Sequence, residues 1–134
     1  MMRTSLTFLL ILVSLVSCAT KETTREIFDM NLEKYNQLLR WQDFDRAALF
    51  SSASIYDRFA ERARSARNVR ITDYQILDVR YNEKTLEASA VVTFSYYLLT
   101  KGLLTNVTDN QKWAFIEEDG VKAWRLKSLL PEFR

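Results

Sequence analysis

The apolar residues of this chain change their period at Asn68. Before it they recur three and four apart, and after it they alternate. That division predicts an α+β fold with N-terminal helices packed on an antiparallel sheet. Asp119-Gly120 is the strongest hairpin signal in the second half. A two-residue turn there sets Glu118 opposite Val121, Glu117 opposite Lys122, Phe115 opposite Trp124 and Trp113 opposite Leu126. One face of the hairpin then gathers Trp113, Phe115, Trp124 and Leu126, a set of cross-strand pairs that strengthens a sheet.

Thr23-x-x-Glu26 reads as a capping box opening the first helix. Phe28, Leu32, Tyr35 and Leu39 follow at helical spacing, widened by Ile27 and Leu38, and form a core stripe. Arg40-Trp41-Gln42 breaks the pattern. Asp43 can cap a short second helix carrying Phe44, Ala47, Ala48, Leu49 and Phe50. Ser51 to Ser54 offers caps for a third, with Ile55, Phe59 and Ala63 on its buried side. Val69 to Tyr81 alternates, and its phase slips near Ile76-Leu77, which predicts a bulge.

Asn82-Glu83-Lys84 makes a turn. Leu86, Ala88, Ala90, Val92, Phe94, Tyr96 and Leu98 then form a long apolar face, opposed by a mixed one. Such a strand belongs in the middle of a curved antiparallel sheet. Thr100-Lys101-Gly102 turns the chain into a strand from Leu103 to Glu117. Asn106-Val107-Thr108 matches a glycosylation sequon but reads as plain strand. Pro131 ends the last strand.

The start of the chain has a different character. Arg3 precedes an apolar run, Leu6 to Val16, broken only by Thr7 and Ser14. A basic start followed by such a run describes a secretory signal, too short to span a bilayer. At its end Leu15-Val16-Ser17-Cys18 resembles the lipobox of bacterial lipoproteins. The resemblance implies a thioether-linked diacylglycerol on Cys18, cleavage before it, and often acylation of the new amino terminus. Two or more acyl chains hold a protein stably at a membrane, whereas one does not.

Residues 1–17 are thus expected to be signal peptide, 18–22 a lipidated tether and 23–134 a single domain. Ala19, in place of Asp, favours the outer membrane, with the domain facing the periplasm. An ordinary signal-peptidase cut after Ala19, releasing a soluble protein, is the competing reading. Cys18 is the only cysteine, so no internal disulfide explains it.

Histidine is absent, which excludes His-based acid–base catalysis, Ser-His-Asp and Cys-His triads and His metal ligation. The only glycines, Gly102 and Gly120, stand alone, so no glycine-rich phosphate loop can form. No Ser-x-x-Lys pattern occurs. The net charge of +2, which drops by one with Arg3, gives no general attraction to nucleic acid.

Arg58, Arg62, Arg64, Arg67 and Arg70 crowd one stretch against the single acid Glu61. Arg58, Arg62 and Arg67 are candidates for an anion site taking phosphate, lipopolysaccharide or phospholipid headgroups. The preferred alternative is a solvated helix face, partly paired with Asp57 and Glu61.

Helices, then a meander of long strands ending in a Trp…Asp-Gly…Trp hairpin, resemble the nuclear transport factor 2-like superfamily, a cystatin-like α+β cone with SnoaL-like relatives. The likeness covers roughly residues 23–130. It is carried by Trp41-Gln42-Asp43-Phe44-Asp45, by Ile71-Thr72-Asp73-Tyr74, and by Gln111-Lys112-Trp113 with Gly120 and Trp124-Arg125-Leu126. It implies a strongly curved antiparallel sheet wrapped around a helix to leave a conical pocket. Tyr35, Phe94, Tyr96, Trp113, Phe115 and Trp124 are the candidates to line it.

Enzymes of the group place Asp, Tyr or His in the pocket. Here Asp73 and Tyr74, adjacent on a strand, point to opposite faces. No catalytic residue, metal or cofactor is expected beyond the covalent lipid. The leading expectation is a non-enzymatic, membrane-anchored envelope domain that binds a protein partner or a second copy of itself. A carrier or sensor of a small apolar ligand is the alternative, and an isomerase- or hydratase-like enzyme ranks third.

Overall fold

A computed structural model describes residues 23–134. The expected signal peptide, Cys18 and the expected tether lie outside the described residues. Three helices, α1 (Thr24–Arg40), α2 (Phe44–Ala48) and α3 (Tyr56–Ser65), precede β1 (Val69–Asn82), β2 (Glu87–Leu98), β3 (Thr105–Glu118) and β4 (Val121–Leu126). The strands form one antiparallel meander, β1-β2-β3-β4, which is not closed into a barrel. The fold is α+β, with the helices packed on that sheet.

Helix α1 starts where the capping box sets it. Thr23 Oγ1 accepts from the Glu26 N–H at 3.1 Å, and Glu26 Oε2 accepts from the Thr23 N–H at 3.0 Å. Thr23→Ala should therefore lower the unfolding free energy by about 1 kcal/mol, read as a drop in the urea midpoint. The helix buries Phe28, Leu32, Tyr35, Leu38 and Leu39, with Asn36 among them.

It ends in a Schellman-type turn, with the Gln42 N–H on the Leu39 carbonyl and the Asp43 N–H on the Leu38 carbonyl. Gln42 sits at φ 59°, a left-handed backbone uncommon for a residue with a side chain. Its carboxamide holds it there: Nε2 donates to the Arg40 carbonyl, and Oε1 accepts from the Ile71 N–H, both at 3.0 Å. Arg40 donates in turn to the Ile71 carbonyl. The end of α1 thus covers the free edge of β1 at Ile71, where it would otherwise be open to another strand.

Asp43 caps α2 through the Arg46 N–H, but no serine caps α3. Ile55 holds the N-cap position without a side-chain bond. The serines serve the other sheet edge. The Ser52 N–H bonds the Leu126 carbonyl at 2.9 Å, the Leu126 N–H bonds the Phe50 carbonyl at 2.7 Å, and Ser51 bridges Leu126. Backbone groups along β4 need partners more than one helix end needs a cap.

Strand β1 carries the expected register shift between Ile76 and Asp78, and a second between Ile71 and Asp73. Strand β2 buries Ala88, Ala90, Val92, Phe94 and Tyr96 from its central place. It begins after Leu86, which turns at φ 53°. Strand β3 starts at Thr105, not Leu103; Leu103 and Leu104 lie exposed in the connection. The β3–β4 register is the one expected, with Phe115 opposite Trp124 and Trp113 opposite Leu126. Asp119 at φ 52° and Gly120 at φ 76° form its type I′ turn.

Strand β4 stops at Leu126, so Pro131 ends no strand. It is buried in a tail that packs back on the core. Arg62 Nη1 donates to the Leu130 carbonyl at 2.7 Å. The Tyr96 hydroxyl donates to the Arg134 carbonyl and accepts from its N–H, and Phe133 meets the Tyr96 ring edge-on at 4.9 Å.

The sheet curls around α1. Tyr81 on β1 and Trp124 on β4 belong to opposite outer strands, about 14 Å apart in a flat four-stranded sheet. Their rings lie 5.7 Å apart, and both meet Phe28 of α1, at 6.1 and 4.9 Å.

Candidate functional site

The inward phase of β3 carries two residues foreign to an apolar core. Asp109 and Gln111 alternate with Val107, Trp113 and Phe115, and both are buried. Asn36 meets them from α1, one residue from Tyr35. Gln111 Nε2 donates to Asn36 Oδ1 at 2.8 Å and to Asp109 Oδ2 at 3.0 Å, while Asn36 Nδ2 donates to the Leu32 carbonyl at 2.9 Å. The Tyr35 hydroxyl, also enclosed, has no hydrogen-bond partner among the described residues.

Burial pushes the Asp109 carboxyl up to about 7, against the pull of its Gln111 hydrogen bond. Burial, reinforced by the charge of Asp109, holds the Tyr35 phenol protonated well above its usual range. The cluster could hold a proton near neutral pH. It lines none of five surface clefts that the described residues form. Asn36, Asp109 and Gln111 were missed from sequence, although polar residues in the inward phase of a strand and in a helix stripe are a legible signal.

Of the residues expected to line a pocket, Tyr35, Trp113 and Trp124 stand in mutual reach through Phe28. The Tyr35 and Trp113 rings are 5.5 Å apart, Trp113 and Phe28 are 6.0 Å apart, and half-buried Phe115 lies 5.5 Å from Trp124. Phe94 packs on Tyr74 and Tyr96 on Phe133, further along the sheet. These side chains fill the centre against one another. Trp113, Trp124, Tyr35, Phe28, Phe59 and Phe94 are the largest fully buried groups.

The arginines do not converge as one set. Arg58 and Arg62 face the C-terminal tail in one cleft, with Glu61, Phe133 and Arg134. Arg62 is engaged there by the Leu130 carbonyl and by Glu132 at 3.5 Å. Arg67 lies in another cleft, with Arg64 and Arg70, against Trp41-Gln42-Asp43-Phe44-Asp45. Neither Asp57 nor Glu61 forms an ion pair with any of them among the described residues. Among those residues, too, no group of three or more Cys, Asp or Glu is arranged to hold a metal. Neither a family model nor a curated protein matches the chain.

Proposed function

We propose that this chain is a bacterial cell-envelope lipoprotein, held by lipid on Cys18, whose nuclear transport factor 2-like cone binds a partner and performs no catalysis. The observation that carries the binding reading is the packed interior. Where a cone enzyme needs an open pocket, Trp113, Trp124, Tyr35 and Phe28 occupy the space between α1 and the sheet. The Asp109–Tyr35 neighbourhood is sealed behind them. The cone assignment is supported by the four-stranded meander and by the approach of Tyr81 to Trp124 across the curled sheet.

The anchor reading is supported by spacing. The capping box at Thr23 opens the domain five positions after Cys18, so the tether reaches at most about 17 Å. Ala19 points to the outer membrane, with the domain in the periplasm. A groove between Leu38, Leu49, Phe50, Ala123 and Trp124 offers apolar walls and keeps the carrier of a small apolar ligand as a second reading. Native mass spectrometry separates the two, by a partner subunit in one case and a bound small molecule in the other.

Cys18→Ser tests the anchor. Labelling with a radioactive fatty acid should mark the parent and not the variant, and the variant should leave the membrane fraction with its urea midpoint unchanged. A variant that still fractionates with membranes, or a parent with a free amino terminus at Thr20, overturns the lipoprotein reading.

A further inference from the structure

The cleft at the C-terminal end of α1 combines features that a merely solvated face does not need. One wall is Trp41, Gln42, Asp43, Phe44 and Asp45; the other is Ala63, Arg64, Arg67 and Arg70; the space between is about 530 Å³. That volume suits a small polar ligand. Trp41 is 71% exposed, costly for a tryptophan, which is usually mostly buried. The Schellman turn at Gln42 fixes the backbone beside it, and the Arg40 guanidinium lies 5.2 Å from the ring centroid.

The charges are uneven in a useful way. Asp43 is committed to Arg46 and to capping α2. Arg70 is oriented by the Arg67 and Val69 carbonyls, at 3.0 and 2.8 Å. Asp45, Arg64, Arg67 and Arg70 form no ion pair among the described residues. Three arginines therefore line one concavity that also holds an unpaired carboxylate and an exposed indole with Arg40 over one face.

We propose that this cleft binds a phosphorylated sugar. Guanidinium forks match phosphate oxygens in pairs, which Arg64, Arg67 and Arg70 would supply. The indole face of Trp41 away from Arg40 suits the C–H face of a sugar ring. Asp45 would accept from sugar hydroxyls and would repel a second phosphate, which separates this ligand from a bare polyanion. The sugar phosphate could be free or be the headgroup of a glycolipid.

Trp113 and Trp124 are each 2% exposed, so the optical response to a ligand belongs to Trp41. Glucose 6-phosphate is titrated into the full-length protein in neutral detergent, with glucose and inorganic phosphate as comparisons. In parallel, the protein is placed in phosphatidylcholine vesicles with and without a phosphorylated disaccharide lipid, so that any lipid anchor acts equally in both. The expected result is a saturable change in Trp41 emission with glucose 6-phosphate, with the doped vesicles, or with both. It should be at least tenfold weaker in the Arg64→Gln/Arg67→Gln double variant and absent with glucose alone.

A response to the soluble sugar phosphate assigns a free ligand, and a response to doped vesicles alone assigns a lipid-borne one. The urea midpoint checks that the double variant is folded, and calorimetry on Trp41→Phe should find residual, weakened binding. No response in either arm overturns the proposal. So does binding that survives the double substitution, or equal binding of inorganic phosphate.

Discussion

Trp124→Ala is expected to remove about 3–5 kcal/mol of stability. The ring is 2% exposed and meets Phe28 at 4.9 Å, Phe115 at 5.5 Å and Tyr81 at 5.7 Å. Its Nε1 donates to the Thr24 carbonyl at 3.0 Å, joining β4 to the first turn of α1. Truncation empties the point where both sheet edges meet the helix, and neighbours drawn from three elements cannot all collapse into the gap. Urea denaturation should show a lower midpoint with an unchanged slope. A loss near 1 kcal/mol would mean that the ring borders open space, and the carrier reading would replace partner binding.

The aromatic meeting point was legible because its causes are local. Asp119-Gly120 demands positive φ at both positions, and that turn alone sets Phe115 against Trp124 and Trp113 against Leu126. The Thr23–Glu26 box and the Phe28–Leu39 stripe are equally local. What was not legible depends on groups distant in sequence. Ser51 and Ser52 look like helix caps until the edge of β4 claims their backbone, some 75 residues away. Gln42 looks like a loop residue until Ile71 needs an acceptor.

The shift near Thr72 lacks the doubled apolar pair that betrays the one near Leu77, so the alternation of β1 hides it. The anion candidates fared similarly. Sequence groups Arg58, Arg62 and Arg67 by proximity along the chain, but the helical turn sends the first two toward the tail and leaves the third beside Trp41.

The inward polar residues lead to the second large effect, at Asp109. Its carboxyl ionises at about 7 in the folded protein, against 3.8 for the ordinary group, because burial penalises the charge. The folded state therefore binds more protons than the unfolded chain between those two values. The stability this confers is fully present below about pH 3.8 and is lost as pH rises to about 7, above which the core holds a buried charge. Asp109→Asn keeps the shape and keeps an acceptor for Gln111 Nε2, but cannot ionise.

The variant should match the parent near pH 4 and exceed it at pH 8 by roughly 2–4 kcal/mol, read from urea midpoints across that range. Parallel pH profiles for the two proteins would show that Asp109 is not the group that titrates. A domain whose sequence spends stability on a sealed carboxylate also gains a property that an apolar core lacks. Its stability falls as the surroundings pass from acid to neutral, through a carboxylate that Gln111 ties to Asn36 of α1.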